Sequence, residues 1–301
     1  MNTIEAFEAD IFSQPEFLKK FRGQEPLPEK TLRRCVFCGS GDSLAAAMLA
    51  EAFSDYRARS VDPLDAIKNK RLLAGKKAYF VSISGNTVSN IRAAPLTQHS
   101  TAITKNPSSR LAEICDDVIA LRYSDSGIVT SGSIGFLASA MTCISLVKKF
   151  KMQDPKKLFG LAQSAAKKFT PKNRVFILGN QYTYPLAMYG AAKMYEVLGH
   201  DAHYERIEQF SHMGLFCARP GDTVILLEQK NKHAQLLAGH LEKLGLHVHQ
   251  PNIAASKIDQ IIFYAFVLQL VALNAAAKLR LSDCHFVTSK KIRTASSAMI
   301  Y

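Results

Sequence analysis

Two stretches decide the fold: Arg34-Cys35-Val36-Phe37-Cys38-Gly39 and Arg174-Val175-Phe176-Ile177-Leu178-Gly179, whose glycines stand 140 positions apart. Each is a short apolar run closed by a Gly turn. An Ala-rich helical pattern follows in both, Leu44 to Phe53 in the first copy and Pro185 to Val197 in the second. Strand, turn and helix in that order open a βαβ unit. A second apolar run comes next in each copy, Lys77 to Ser84 and Asp222 to Leu227, so strands and helices keep alternating. The alternation predicts an α/β protein of two flavodoxin-like α/β/α domains in tandem, each with a parallel sheet, over 31–150 and 170–289. Residues 1–30 read as a helix and linker, with Ile4, Phe7, Ile11, Leu18 and Phe21 at helical spacings before Pro26-Leu27-Pro28. A lysine-dense linker or helix fills 151–169, and 290–301 form a basic tail.

The chain has 301 residues, enough for a substantial core, and its 48% hydrophobic and 21% charged residues exclude disordered, collagen-like and coiled-coil classes. A net charge of +13 points to an anionic partner. The basic run from Lys148 to Arg174 interleaves Phe150, Phe159 and Phe169, but these fall on the apolar side of a helical pattern, so nucleic acid is not expected. Six cysteines lie mostly in apolar runs, as reduced thiols do. Cys35 and Cys38, three apart on a strand, face opposite ways and are not expected to bind zinc. Acidic residues early in the chain and no apolar signal core point to the cytoplasm. The apolar stretch Ile261 to Ala277 is interrupted by Gln269 and Asn274 and falls short of the roughly 20 residues of a bilayer span, so it reads as a buried helix.

Directly after the second strand of the first copy comes Ser82-Ile83-Ser84-Gly85-Asn86-Thr87, then a helical pattern from Val88. A glycine turn at a helix start gathers unpaired N–H groups, and Ser and Thr hydroxyls add neutral donors, which together suit a phosphate. A simple helix cap by Ser84 or Asn86 would need fewer such side chains. The equivalent stretch in the second copy, Leu226-Leu227-Glu228-Gln229-Lys230, carries an acid instead of hydroxyls and is expected to bind no anion. Ser40, at the end of the first strand of the same sheet, is expected to line the same crevice.

At these residues the chain resembles the sugar isomerase (SIS) family, in Gly39-Ser40-Gly41 and in the Ser82–Thr87 loop. The likeness continues through Asn106 to Ala112 and Ser126 to Val129, which are similar to the isomerase domain of glucosamine-6-phosphate synthase. Length and the Ser-Gly-Asn-Thr variant also look like the archaeal phosphoglucose/phosphomannose isomerases. Where the latter carry an arginine this chain has Ser131-Gly132-Ser133, and Ser131 takes its place among the expected sugar-binding residues with Ser40, Ser82, Ser84, Gly85, Asn86 and Thr87. The resemblance implies a catalytic Glu196 as proton-shuttling base and, sixteen residues on, His212 as the ring-opening group. His212 is followed by Met213-Gly214 instead of Gly-Pro. The tail lysine falls on Lys291 or its neighbour Lys290, to steady a developing oxyanion.

What the resemblance implies is an aldose–ketose isomerase of a hexose or hexosamine phosphate, working through an enediol without metal or cofactor, in a homodimer whose His can come from the neighbouring subunit. C–N cleavage of an amino-sugar phosphate by the same base is the alternative enzyme, and a non-catalytic phosphosugar sensor the alternative of another class. Sensors of this fold usually carry a DNA-binding domain ahead of it, and only about thirty residues precede it here. No N-terminal Cys nucleophile is present, so ammonia-dependent synthesis is not expected. His247 and His249 make a strand-like HxH pair with no carboxylate or thiol nearby, which reads as a strand face and not a metal site.

Overall fold

A computed structural model describes residues 1–301. Nine short strands form two all-parallel sheets. The first holds β1 (Cys35–Cys38), β2 (Arg59–Val61), β3 (Lys77–Val81), β4 (His99–Thr104) and β5 (Asp117–Ala120) in the order β2-β1-β3-β4-β5. The second holds β6 (Val175–Leu178), β7 (Ala202–Glu205), β8 (Thr223–Leu226) and β9 (His247–His249) in the order β7-β6-β8-β9. Both orders reverse direction beside their first strand, as in flavodoxin-like folds, and ligands of such sheets bind at that reversal. The expected α/β architecture is therefore present in each sheet. Both first turns are equally tight: a Cβ on Gly39 would lie 2.6 Å from the Ser43 carbonyl carbon, and one on Gly179 would lie 2.5 Å from the Thr183 oxygen.

The chain divides into two compact units whose segments interleave: Met1–Lys20, Asp125–Ser133 and Lys151–Ser289 in one, Phe21–Ser124, Ile134–Phe150 and Lys290–Tyr301 in the other. In the latter, period-two alternation sends Val36, Cys38, Ala78, Phe80 and Ala102 to one face of the sheet, against Ala66, Ile91 and Leu111 of the flanking helices. Phe37 and Tyr79 stack at 4.9 Å on the other face. The Asp42–Phe53 helix lies against β1 and packs on the Ile134–Val147 helix, which is buried along its whole length. Cys38 belongs to the first of these faces and Cys35 does not, as strand geometry requires, and burial pushes the Cys35 thiol up to about 11. All six cysteines are free.

In the other unit Phe176, Leu178, Val224 and Leu226 pack against Ile207, Phe210, Ala234 and Leu241 on one side of the sheet. The opposite side is covered by the Tyr184–Lys193 helix, and a Cβ on Gly190 would meet Leu268 at 2.7 Å and Ile177 at 2.9 Å. Leu268 belongs to the Lys257–Lys278 helix, which at 22 residues is longer than the apolar stretch read from sequence. By length and composition alone it could cross a membrane, but 89% of its apolar window is buried inside the protein. It packs on the Thr3–Lys20, Pro155–Lys167 and Tyr184–Lys193 helices. Phe159 sits edge-on between Phe12 and Phe266, so the lysine-dense segment contributes a buried apolar face and keeps its charges outside.

Candidate active site

The Ser82–Thr87 turn follows β3 where the first sheet reverses, and Ser40 follows the neighbouring β1. Gly85 takes a φ of +66° and lies against Ser109, which caps the Arg110–Ile114 helix by accepting the Ala112 N–H. Ser82 is 3% exposed; its Oγ accepts the Gly85 N–H at 3.2 Å and lies 3.0 Å from the Thr87 hydroxyl. Ser82 thus closes the turn from inside. Ser84 Oγ accepts the Asn86 N–H at 3.2 Å and, like Asn86 and Thr87, remains part-exposed. Thr87 gives the following helix no side-chain cap, so the first N–H groups after it stay open to an anion.

Glu196 lies in a π-helical turn, Met194–Leu198, that continues the Tyr184–Lys193 helix and ends at Gly199 in the left-handed region. Single π turns of this kind frequently mark functional positions. Both hydrogen bonds to its carboxylate fall on one oxygen: Ser131 Oγ and Lys193 Nζ each donate to Oε2 at 2.7 Å. Oε1 is left as a free acceptor on a side chain 36% exposed. Lys193 is fully buried, and a buried ammonium needs compensation. Besides Glu196 it donates to the Gly132 carbonyl at 2.9 Å and lies 4.8 Å over the Tyr189 ring. The Tyr189 hydroxyl donates to the same carbonyl at 2.8 Å and accepts from Gln269 Nε2 at 2.9 Å. Gln269 and Gln14, both fully buried, exchange amide hydrogen bonds of 2.7 and 3.2 Å.

The loop carrying Ser131 and Gly132 is pinned by the Thr3–Lys20 helix. Asp10 Oδ1 accepts the Ser126 N–H at 2.6 Å, and the Thr130 hydroxyl donates to the Thr3 carbonyl at 2.6 Å. The leading helix therefore sets the height of a loop that holds Glu196.

No family model and no curated protein sequence matches the chain; solved structures do. A glucosamine-6-phosphate deaminase from Thermotoga maritima is similar at 16% identity and a TM-score of 0.69, covering 92% of this chain and 94% of that one. The C-terminal domain of a glucosamine-fructose-6-phosphate aminotransferase from Francisella tularensis gives 15% identity and a TM-score of 0.70 over 90% and 95% of the two chains. A tagatose-6-phosphate ketose/aldose isomerase from Escherichia coli gives 14% and 0.70 over 91% and 92%. This chain shares their fold. At these identities the likeness is one of architecture over nearly the full length of each chain.

The remaining residues singled out from sequence sit differently. Ser131, expected on the sugar, is 2% exposed, and its hydroxyl is engaged with Glu196. His212 ends the Ile207–His212 helix with its side chain 70% exposed and its Nε2 3.9 Å from Glu208; no hydrogen bond or ion pair joins it to Glu196. Lys290 and Lys291 open a helix, Lys290–Ile300, with no buried residue. His247 is exposed, whereas His249 stacks on Phe169 at 4.4 Å and burial, aided by Lys168, pushes its imidazole down to about 4. No group of three or more potential metal-ligating side chains occurs.

Sequence reading missed Lys193, Tyr189, Gln14 and Gln269. Two signals were present: Lys193 precedes Glu196 by three positions, a spacing at which helical side chains meet, and Gln269 breaks an otherwise apolar run. Tyr189→Phe is expected to lower stability by about 1–3 kcal/mol by removing the hydroxyl between Gln269 and Gly132. An unchanged denaturation midpoint would show that the hydroxyl is dispensable to the network.

Proposed function

We propose that this protein belongs to the phosphosugar-processing SIS family and is an aldose–ketose isomerase of a hexose or hexosamine phosphate. The observation that carries the reading is the one-sided anchoring of Glu196. With Oε2 held by Ser131 and Lys193, rotation of the carboxylate is restrained and Oε1 is presented as the proton acceptor. In an aldose–ketose interconversion Oε1 takes a proton from the carbon next to the carbonyl, leaving an enediolate; the hydroxyl proton passes from one enediolate oxygen to the other, and Oε1 returns its own proton to the adjacent carbon. The fixed charge of Lys193, screened from water, favours the negative charge that develops on the enediol. The Ser84, Asn86 and Thr87 side chains with the open N–H groups after Thr87 would hold the phosphate. In a cytoplasmic homodimer, exposed His212 would be supplied to the partner subunit, where it would pass a proton during ring opening; Lys291 on the exposed tail helix would steady the substrate oxygen.

The same base serves C–N cleavage of an amino-sugar phosphate, a reading favoured by the likeness to the deaminase structure. The two are separated by product. Isomerisation exchanges solvent deuterium into the C1–C2 positions without releasing ammonia, and C–N cleavage releases one ammonia per turnover; detection of neither with any hexose or hexosamine 6-phosphate would refute both. The Ser84→Ala/Thr87→Val double variant is expected to weaken binding of phosphorylated sugars about tenfold or more while leaving weak binding of the free sugar unchanged. Equal losses for both ligands in calorimetric titration would mean that the turn holds no phosphate.

A further inference from the structure

The second sheet also reverses direction, between β6 and β8, and at the carboxyl ends of those strands lies a cavity of about 440 Å³. It occupies the position in the second copy that the Ser82–Thr87 turn holds in the first. Its side chains are of another kind. Glu228, two residues past the end of β8, is half-buried, and no cationic side chain comes within ion-pair distance of it. Burial raises its pKa, and His233 and a hydrogen bond from the Gln229 N–H act in the opposite sense. Lys257, at the first turn of the Lys257–Lys278 helix, lines the same cavity from an exposed position, 5.5 Å over the Tyr182 ring, and it too lacks an anionic partner. Tyr182 and Gln229 are fixed from behind: the Tyr182 hydroxyl donates to Gln260 Oε1 at 2.6 Å, and Gln229 Nε2 donates to the Tyr264 hydroxyl at 3.0 Å.

A cavity with one carboxylate in its wall and one ammonium near its mouth, unpaired with each other, is electrostatically complementary to a ligand that carries both charges. A simple anion would meet Glu228, and a simple cation would meet Lys257. We propose that this cavity is a second ligand site, distinct from the residues around Glu196, that binds a small zwitterion of the free α-amino acid class. The ligand ammonium sits on Glu228, and its carboxylate sits on Lys257. The Tyr182 ring and Ile207 cover the carbon skeleton, and the volume lies within the range of small-molecule sites.

The test uses the full chain and the twenty common L-amino acids, each at about 10 mM, in a thermal-shift screen followed by calorimetry of the best one. At least one is expected to raise the melting temperature by about 2 °C or more. Glu228→Gln and Lys257→Met are each expected to weaken that ligand about tenfold or more. The amide of the same amino acid, which lacks the carboxylate, should bind parent and Lys257→Met equally. The proposal is overturned if no amino acid shifts the melting temperature, or if both variants bind like the parent. D-glucose or D-fructose raising the melting temperature as much as the best amino acid, independently of Glu228, would equally overturn it, because the cavity would then be a polyol site.

Discussion

Glu196→Gln is expected to reduce turnover of the sugar phosphate by about a hundredfold or more while its dissociation constant changes less than about threefold. The amide is nearly isosteric, and its oxygen can still accept from Ser131 and Lys193, so the turn and the buried lysine stay in place. What is lost is the capacity of the free oxygen to take a proton. Exchange of solvent deuterium into substrate, followed by NMR, should fall in parallel with turnover. Full exchange in the variant would move the base elsewhere, and a dissociation constant raised as much as turnover is lowered would mean that Glu196 binds substrate instead of acting on it.

Gly85→Ala is expected to cost about 2–4 kcal/mol of stability and to abolish the phosphosugar binding proposed for this turn. The added methyl would lie 1.9 Å from Ser109 Oγ and 2.4 Å from Ser109 Cβ, on a residue at φ +66°. Neither neighbour can retreat freely: Ser109 caps the next helix, and the Gly85 carbonyl accepts the Leu111 N–H at 2.9 Å. Adding Ser109→Gly should restore much of the loss by removing the two nearest colliding atoms, leaving roughly 1–2 kcal/mol for the left-handed backbone, the lost Ser109 cap and the Thr104 hydroxyl still at 3.0 Å. Chemical denaturation of the three proteins checks this; a single variant as stable as the parent would contradict the packing of the turn.

Much of the architecture was legible because it is written in local patterns. Val36, Cys38, Ala78 and Phe80 alternate with residues of the opposite face, so their runs read as strands. The glycines at 39 and 179 mark turns too tight for a side chain. The hydroxyl-rich turn was visible as a cluster, yet its division of labour was not: that Ser82 faces inward while Ser84 remains part-exposed depends on the turn's own hydrogen bonds. At Glu196 the motif and its spacing are visible in the sequence, but the hydrogen bond from Ser131 is not, because the two residues lie sixty-five positions apart.

From sequence alone came the α/β class with its parallel sheets and the hydroxyl-rich turn after the third strand, because strand alternation, helical period and glycine turns are properties of consecutive residues. Tertiary structure alone decided that Lys193 is buried, that one oxygen of Glu196 is tied and the other free, and that Gln14 and Gln269 meet 255 positions apart. A lysine on an Ala-rich helix reads as solvated. Its burial is possible only where a carboxylate, a carbonyl and an aromatic face are brought to it together, and no local period encodes that meeting.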